Sequence, residues 1–440
     1  MTYSAAKNIA DRGGVVRVGL LGCGHVGSAL VRLIEAHADS IGARAGVKIE
    51  VAKVAVRNLA KERDVDLDAE RFTHDADEVV NDPTIDLVVE VIGGIEPART
   101  LILTALAAGK PVVTANKELL ANFGRELFDT AEANGVDLLF EASVCGGIPL
   151  LRPLRESLAG DRIRRITGIV NGTTNFVLTR MTESRMSFHE ALAEAQSLGY
   201  AERDPTADVE GFDAAAKAAI LASIAFGAKV VAGDVYSEGI SAVSPSDIES
   251  ARELGYVVKL LALIEEADGE IAVRVHPAMV PVNHPLSGVK DSFNAVFIEA
   301  DAAGSLMFYG RGAGGMPTAS AVLGDLIDAA RNLAAGSRGA TIGAPSKKRI
   351  RPIDEVASQF YVMCEVADRP GVLAAIASAF GEHGVSIKSM QQQGIADDAR
   401  LIFVTHRARE RDFEATMAAV RQLESVHRVG SILRVVGEDD

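Results

Sequence analysis

The chain has 440 residues, with 60 acidic and 45 basic side chains and a formal net charge of -15. This length allows two or three domains, and the acidic balance argues against nucleic acid or an anionic membrane surface as the main partner. The three cysteines lie far apart and form no CxxC pair, which favours a reducing, cytoplasmic location over a disulfide framework.

The first thirteen or so residues are predicted to be a loose tail, without the apolar core of a signal peptide. Strands then alternate with helices over residues 14–150, which predicts an α/β domain with a doubly wound parallel sheet. Part of the segment 312–340 is expected to complete this domain. No apolar run approaches the length needed to cross a bilayer.

A glycine-rich turn directly follows the first predicted strand and opens a helix. Gly22, Gly24 and Gly27 form a GxGxxG motif, with His25 and Val26 between the last two glycines. Such a turn lets a pyrophosphate approach a helix N-terminus closely, so the motif predicts a Rossmann-type dinucleotide site. The alternative is a purely structural glycine turn.

The second strand bears on the choice of cofactor. Its end carries Arg57, where enzymes that use NAD usually have an acidic residue for the ribose 2′-hydroxyl. An arginine suits the 2′-phosphate of NADP, and Lys61 lies nearby, so NADP is predicted as the cofactor; NAD remains an open alternative.

Further along, Thr114 and Lys117 lie at the end of a strand, at the sheet edge where ligands bind in this fold. Lys117 is predicted to hold the cofactor, to act beside the reacting carbon, or only to cap a surface loop.

The regular alternation of predicted strands and helices ends after residue 150. Residues 151–311 are predicted to form an α+β domain for substrate binding and dimerisation. The segment 341–357 is rich in Gly, Pro and basic residues and is predicted to be a linker. Residues 358–438 carry the order βαββαβ, which predicts a ferredoxin-like domain.

One segment of the middle domain concentrates acidic side chains and then becomes almost wholly apolar. The acidic residues are Glu202, Asp204, Asp208, Glu210 and Asp213. From Ala214 to Ala228 the only charged residue is Lys217, one helical turn beyond Asp213. A lone ammonium in an Ala-rich helix costs desolvation unless it is paired, so this arrangement predicts chemistry more than packing. The alternative is a surface ion pair.

The same segment carries a family resemblance. Between Ala195 and Lys217 the chain reads A-x-x-x-G-Y-A-E-x-D-P-x-x-D-V-x-G-x-D-x-x-x-K, which resembles the signature of homoserine dehydrogenases. The resemblance extends over residues 15–335 and includes NGTTN from Asn171 and GRGAGG after Tyr309. The C-terminal domain resembles the ACT regulatory domain that many bacterial members carry, and the length of 440 residues predicts the monofunctional form rather than a fusion to an aspartate kinase domain.

The resemblance implies reversible, NAD(P)-dependent interconversion of L-aspartate 4-semialdehyde and L-homoserine, in threonine, methionine and isoleucine biosynthesis. It places substrate contacts at Thr173, Gly199, Glu202 and Asp213. Lys217 is expected near the reacting oxygen, where an ammonium stabilises an alkoxide and delivers a proton, with Asp213 and Lys117 as further catalytic candidates. Gly314 is expected to approach the nicotinamide.

The resemblance also implies a monovalent cation, sodium more than potassium, near the end of the first domain. The expected ligands are the Glu141 carboxylate and the backbone carbonyls of Val144, Gly146 and Ile148. Cys145 in this loop raises a rival hypothesis, the thiol nucleophile of an aldehyde-oxidising enzyme such as aspartate-semialdehyde dehydrogenase. The sequence places no histidine base beside it.

In the C-terminal domain, the turn from Asp368 to Gly371 joins a strand to a helix. By resemblance this turn binds an amino-acid effector, and L-threonine is the expected inhibitor. The alternative is an ACT domain that only dimerises. A third reading makes the chain a non-catalytic amino-acid sensor. A homodimer or homotetramer is expected.

Overall fold

The computed structural model describes residues 2–340, 348–394 and 399–436. Contacts divide the chain into two compact units: unit 1 comprises Met1–Ile163, Ala219–Asp234 and Ala300–Lys347, and unit 2 comprises Arg164–Ala218, Val235–Glu299 and Lys348–Asp440. The first part of the predicted linker, 341–347, and the predicted domain end at 437–438 lie outside the described residues. No helix within the described ranges is long and apolar enough to cross a membrane.

The strands are named in chain order. They are β1 (Val15–Leu21), β2 (Lys48–Ala55), β3 (Phe72–Thr73), β4 (Leu87–Glu90), β5 (Val112–Thr114), β6 (Leu138–Leu139), β7 (Ile163–Ile169), β8 (Tyr236–Ser237), β9 (Tyr256–Ala267), β10 (Glu270–Pro281), β11 (Phe293–Ala300), β12 (Gly304–Arg311), β13 (Arg349–Ile350), β14 (Ala357–Val366), β15 (Ile387–Gln393), β16 (Ala399–Thr405), β17 (Ala408–Arg409) and β18 (Val426–Val435).

The α-helices follow the same convention. They are α1 (Thr2–Asp11), α2 (His25–Ala36), α3 (Ala38–Ala45), α4 (Asp77–Asn81), α5 (Ala98–Ala107), α6 (Lys117–Asn134), α7 (Gly172–Ser184), α8 (Phe188–Ser197), α9 (Thr206–Val209), α10 (Phe212–Phe226), α11 (Pro245–Glu253), α12 (Gly315–Ala334), α13 (Val372–Glu382) and α14 (Glu410–Val420).

Unit 1 contains the predicted parallel sheet, with the strand order β3-β2-β1-β4-β5-β6. This is the doubly wound order whose reversal beside β1 creates a ligand crevice at the carboxyl ends of the strands. The central strands β1, β4 and β5 are almost wholly buried, as parallel strands covered by helices must be, whereas β2 is only partly buried. The prediction of an α/β Rossmann-type domain is confirmed.

The prediction of a loose N-terminal tail is wrong. Residues 2–11 form α1, Ile9 is 1% exposed in the unit 1 core, and the Arg12 guanidinium donates to the Asp86 carboxylate at 2.7 and 2.6 Å. One apolar side chain and one ion pair, both at long sequence separation, therefore anchor this segment. A short polar stretch gives little periodicity from which to predict that anchoring.

Unit 2 is built on a mixed sheet in which β11, β7, β9 and β10 are neighbours in that order. Strand β9, which the sequence analysis did not predict, pairs antiparallel with β10 along its whole length, from Tyr256–Pro281 to Ala267–Glu270. The α+β character of this region is confirmed.

The C-terminal βαββαβ order is confirmed by β14, α13, β15, β16, α14 and β18, with the short β17 added. The last strand also pairs in parallel with β10, where Ala278 and Met279 face Arg434 and Val435. The ACT sheet therefore continues the substrate-domain sheet within unit 2. The described part of the predicted linker contains β13, which pairs with β10 as well.

Candidate functional site: a dinucleotide turn and a buried lysine

The three glycines of the GxGxxG turn have different physical reasons to be glycine. Gly22 has φ +100°, and a Cβ there would lie 2.8 Å from Ile92 Cγ2 and 3.0 Å from the Val91 carbonyl oxygen. A Cβ on Gly27 would lie 2.2 Å from the Gly22 carbonyl oxygen. A Cβ on Gly24 meets nothing within 4 Å, so open space lies above this turn at the N-terminus of α2. That space suits a pyrophosphate on backbone donors.

The neighbouring strand ends are organised by a carboxylate that the sequence analysis missed. Glu90 is fully buried at the end of β4, and its side chain accepts from the Ile92 and Gly93 amides at 2.8 and 2.9 Å. The Thr114 hydroxyl donates to the same carboxylate at 2.5 Å. Thr114 therefore shapes the loop beside the GxGxxG turn. A buried strand of apolar residues ending in one acid was the available signal.

The other predicted cofactor residues occupy separate parts of unit 1. Arg57 is exposed just past β2, and Lys117 is exposed at the first position of α6, which Asn116 caps by accepting from the Leu119 amide. Gly314 has φ +119° and precedes α12. A Cβ built on Gly315, the first residue of α12, would lie 3.1 Å from the His25 carbonyl oxygen. The N-termini of α12 and α2 therefore meet beside the glycine turn.

In unit 2, Lys217 and Asp213 form the predicted pair on α10. The Lys217 ammonium donates to Asp213 Oδ2 at 2.6 Å and to the Val170 carbonyl at 2.8 Å, and the two residues are only 8% and 7% exposed. A surface ion pair is thereby excluded. An ammonium and a carboxylate held this way are a preorganised proton donor and its partner.

Asn171 completes the cluster and was not among the predicted site residues. Its Nδ2 donates to Asp213 Oδ2 at 2.9 Å and to Asp208 Oδ1 at 2.7 Å, while its Oδ1 caps α7 by accepting from the Thr174 amide. It thus links the start of α7 to the acidic segment. The motif NGTTN was the available signal.

The remaining predicted substrate residues are Gly199 and Glu202 on the acidic segment and Thr173 on α7, which contacts that segment. Thr173 is buried and its hydroxyl donates to the Tyr200 carbonyl at 2.7 Å, next to Gly199, which has φ +76°. The Glu202 side chain is exposed, whereas its backbone oxygen accepts from Gln196 at 3.0 Å. The structure brings Asp213 and Lys217 together directly and leaves Glu202 facing solvent.

The loop expected to hold a cation is organised by Glu141. Its carboxylate accepts from three successive backbone amides, those of Leu150 and Leu151 through Oε1 at 2.5 and 2.7 Å and that of Arg152 through Oε2 at 2.8 Å. Both oxygens of this 6% exposed carboxylate therefore cap the start of the next helical segment.

The other members of this loop are also enclosed. Val144, Gly146 and Ile148 are buried, and Cys145 is 1% exposed with φ +52°. The described residues contain no cluster of three or more His, Cys, Asp or Glu side chains with metal-binding geometry. Glu141 is therefore the one side-chain ligand in the expected set, and its other members are backbone carbonyls.

The predicted effector turn lies at the N-terminus of α13. Gly371 caps this helix with φ +94° and open space around its Cβ direction, and exposed Asp368 accepts from Gln392 Nε2 at 3.2 Å. The start of α13 thus has open space beside Gly371, although the Val372 amide already donates to the Arg369 carbonyl at 3.3 Å.

Three family models match the chain. They are homoserine dehydrogenase, NAD binding domain, over residues 22–141, homoserine dehydrogenase over residues 149–327, and ACT domain over residues 360–425.

Relatives cover nearly the whole chain. Homoserine dehydrogenase of Corynebacterium glutamicum is 50% identical over 428 residues, with 96% of each chain covered, and that of Bacillus subtilis is 43% identical, with 96% of this chain and 98% of the relative covered. The crystal structure of a homoserine dehydrogenase from Thiobacillus denitrificans matches with a TM-score of 0.91 at 41% identity and covers 96% of this chain and 98% of its own. A hyperthermophilic archaeal homoserine dehydrogenase in complex with NADPH matches with a TM-score of 0.62 at 30% identity, over 72% of this chain and 97% of its own.

Together, the glycine turn in unit 1, the buried Lys217–Asp213 pair in unit 2 and these matches lead to one conclusion. The chain belongs to the homoserine dehydrogenase family and carries a C-terminal ACT domain.

Proposed function

We propose that this enzyme interconverts L-homoserine and L-aspartate 4-semialdehyde with Lys217 as its proton-transfer group and NADP as its preferred cofactor. The observation that carries the proposal is the buried ammonium of Lys217, held by Asp213 and the Val170 carbonyl in an otherwise apolar helix. Burying a charge costs desolvation free energy, and a buried charge held by two acceptors is typical of functional sites.

The nicotinamide cofactor supplies the hydride in one direction and accepts it in the other. As an ammonium, Lys217 stabilises the negative charge that develops on the substrate oxygen and protonates it; in the reverse direction the neutral amine of Lys217 accepts the hydroxyl proton. Asp213 and Asn171 hold the lysine in place. The exposed Glu202 carboxylate is assigned to the substrate ammonium, with Thr173 and Gly199 shaping the same segment, whereas Asp213 Oδ2 is engaged mainly by Lys217.

The preference for NADP is supported by the exposed Arg57 just past β2. A guanidinium there can bind a 2′-phosphate by two parallel hydrogen bonds and has no such partner in NAD. The NADPH complex of the archaeal relative is consistent with this choice.

The test is steady-state homoserine oxidation by the wild type, Lys217→Ala and Lys117→Ala, with NADP and with NAD. We expect Lys217→Ala to lower kcat by about 10²–10⁴-fold, the usual contribution of a general acid–base group, without changing NADP binding. Lys117→Ala separates the roles of the two lysines, because a cofactor role raises the KM for NADP and a chemical role lowers kcat. Full turnover by Lys217→Ala would contradict the assignment.

Cys145 provides the control for the rival thiol chemistry. It is buried, in a left-handed backbone conformation, and the cysteine assignment predicts complete loss of turnover in Cys145→Ser. We expect this variant to keep most of its turnover, and wild-type enzyme to show no phosphate-dependent aldehyde oxidation.

For the cation, we propose a sodium ion bound by the Glu141 carboxylate and the backbone carbonyls of Val144, Gly146 and Ile148. The Glu141 carboxylate accepts from two amides through Oε1 and from one through Oε2, which leaves a lone pair of Oε2 for a cation. Hard oxygen donors of this kind suit sodium.

We also propose that L-threonine inhibits the enzyme through Asp368 and the N-terminus of α13. The open space beside Gly371 and the match to the ACT family model support this proposal.

We further propose a homodimer or homotetramer. This is supported by the exposed strand β15, which ends the described ACT sheet and can pair with the edge strand of another copy. A cytoplasmic location is supported by three buried cysteines in no disulfide.

A further inference from the structure

Within unit 2, the last strand of the ACT domain reaches residues 236–241, which follow α10 in the chain and pack on the residues that precede it. The residue that makes this contact is Arg434 on β18, which is 6% exposed. It pairs with Ala278 of β10 and with Phe360 of β14, so its backbone position is set by the shared sheet.

Arg434 binds two carboxylates on different parts of unit 2. Its Nε and Nη2 donate to Glu410 Oε1 and Oε2 at 3.0 and 2.9 Å, a bidentate pair within the ACT domain. Its Nη1 donates to Glu238, just after β8 of the substrate domain, and its guanidinium lies 5.4 Å from the Tyr236 ring centroid. These carboxylates raise the pKa of Arg434 further above its usual range, and it stays a cation.

The segment that Arg434 holds, residues 236–241, packs tightly on residues 209–211. The Ile240 amide donates to the Val209 carbonyl at 2.8 Å, and a Cβ on Gly239 would lie 2.3 Å from that same oxygen. Ser237 and Ser241 donate to the Glu210 carbonyl at 3.1 Å and to Glu210 Oε1 at 2.7 Å. The two segments therefore have little freedom to move independently.

Residues 209–211 lead directly into the catalytic cluster. Asp208, which accepts from Asn171, lies immediately before them, and Asp213, which accepts from Lys217 and Asn171, lies two residues after them. A displacement of Glu210 is transmitted to both carboxylates that Asn171 joins.

We propose that Arg434 is a positioning residue for the homoserine dehydrogenase reaction: it clamps residues 236–241 onto residues 209–211 and so fixes the geometry of Asp213 and Lys217. This inference rests on the proposed role of Lys217. It assigns the ACT domain a part in basal turnover, separate from any effector.

The first test compares Arg434→Gln with Arg428→Gln. Arg428 lies on the same strand, is exposed and pairs at 3.5 Å with Glu365 inside the ACT domain, so it matches the change without touching residues 236–241. We expect Arg434→Gln to lower kcat by roughly 10- to 100-fold, the order of loss for a misplaced catalytic group, with an unchanged KM for NADP. Activity is normalised to cofactor-binding sites and measured well below the melting temperature. A merely structural role predicts a lower melting temperature with normal kcat per folded site.

The second test is a double-mutant cycle on kcat with Ser241→Ala, which removes the hydrogen bond to Glu210 at the other end of the clamp. If both contacts act through residues 209–211, the combined loss is smaller than the product of the single losses. Arg434→Lys keeps the charge but cannot hold both carboxylates, so we expect it to remain impaired. Should Arg434→Gln fail to fold, Glu238→Gln, at a partly exposed side chain, takes its place in the cycle.

Normal kcat in Arg434→Gln, or independent effects in the cycle, would overturn the inference. Lys217→Ala run in parallel tests the proposed function separately. If Lys217→Ala is inactive and Arg434→Gln is fully active, only the positioning role is wrong; if Lys217→Ala is active, the assignment of Lys217 itself is wrong.

Discussion

Two buried lysines in unit 2, Lys217 and Lys259, differ in the charge of their hydrogen-bond partners. Lys217 faces the Asp213 carboxylate, whereas Lys259 on β9 donates only to neutral oxygens, Asn175 Oδ1 at 2.9 Å and the Val289 carbonyl at 2.5 Å. Desolvation by burial therefore lowers the pKa of Lys259 to about 8. Because Asn175 belongs to α7, this lysine stabilises the helix that Asn171 caps.

The lowered pKa of Lys259 predicts a rise in stability with pH. Between about pH 8 and 10.5 the unfolded chain holds this proton and the folded chain does not, so the free energy of unfolding gains up to about 1.4 kcal/mol per pH unit from this group. Below pH 8 both states are protonated and the gain vanishes. Urea unfolding at several pH values should show this increment in the wild type and lose it in Lys259→Met.

The control for this prediction is Lys48→Met. Lys48 is an exposed residue of β2 in unit 1 and is not among the charges that shift the pKa of Lys259, so its removal leaves the increment between pH 8 and 10.5 in place. An identical pH slope in wild type and Lys259→Met would contradict the prediction.

At the scale of elements, the GxGxxG turn joins β1 to α2 through glycines with separable roles. The Gly27 Cβ direction points at the Gly22 carbonyl, which is backbone and cannot swing away. The Gly24 Cβ direction points into the space assigned to the cofactor. Gly27 is therefore required by packing, whereas Gly24 borders open space that we propose the cofactor occupies.

This separation predicts opposite outcomes for two alanine variants. Gly27→Ala should destabilise unit 1 by about 1–3 kcal/mol, the usual cost of overpacking, in the absence of cofactor. Gly24→Ala should leave the melting temperature of the apo protein nearly unchanged and weaken NADP binding at least about tenfold, since it fills the space for the pyrophosphate. Thermal melts and cofactor titrations check both; equal melting temperatures for the two variants would contradict the packing argument.

Strand β9 could not be predicted from its sequence alone. Strand β9 reads YVVKLLALIEEA, a run in which Leu, Ala and Glu favour a helix as much as Val and Ile favour a strand. Its pairing with β10 along the full length decides the outcome. By contrast, β1, the glycine turn and α2 were predictable because their signals lie within a few residues.

At the scale of the whole molecule, unit 2 unites regions that the sequence separates. The predicted linker 341–357 suggests an independent C-terminal domain, yet β18 pairs with β10 and β13 pairs with β10 within unit 2. The ACT domain is therefore built into the same sheet as β10 and β9, within the unit that contains Lys217.

This continuity predicts that deletion of residues 341–440 removes more than regulation. It uncovers β10, where Ala278, Met279 and Val280 are fully buried, so we expect a lower melting temperature and reduced turnover. A truncated enzyme with wild-type stability and turnover would contradict this expectation.

The cleaner test of threonine regulation keeps the full chain. Asp368→Ala should retain turnover and lose inhibition by threonine, whereas Asp412→Ala, at the start of α14, should retain both. Unchanged sensitivity in Asp368→Ala would reject the proposed effector turn.

The sequence by itself determined the features whose signals are local: the glycine turn after β1, the one-turn spacing of Asp213 and Lys217, and the βαββαβ order of the C-terminal domain. Local signals suffice there because the atoms that interact are within a helical turn or one supersecondary motif. The long run of fixed positions before Lys217 then indicated the family.

Only the tertiary structure decided which distant groups complete the site. The Val170 carbonyl reaches Lys217 across 47 positions, and Asn171 reaches Asp213 across 42. Arg434 contacts Glu238 across 196 positions. Such contacts depend on which strands become neighbours in a sheet, and that pairing is the collective outcome of packing the whole unit rather than a property of any one segment.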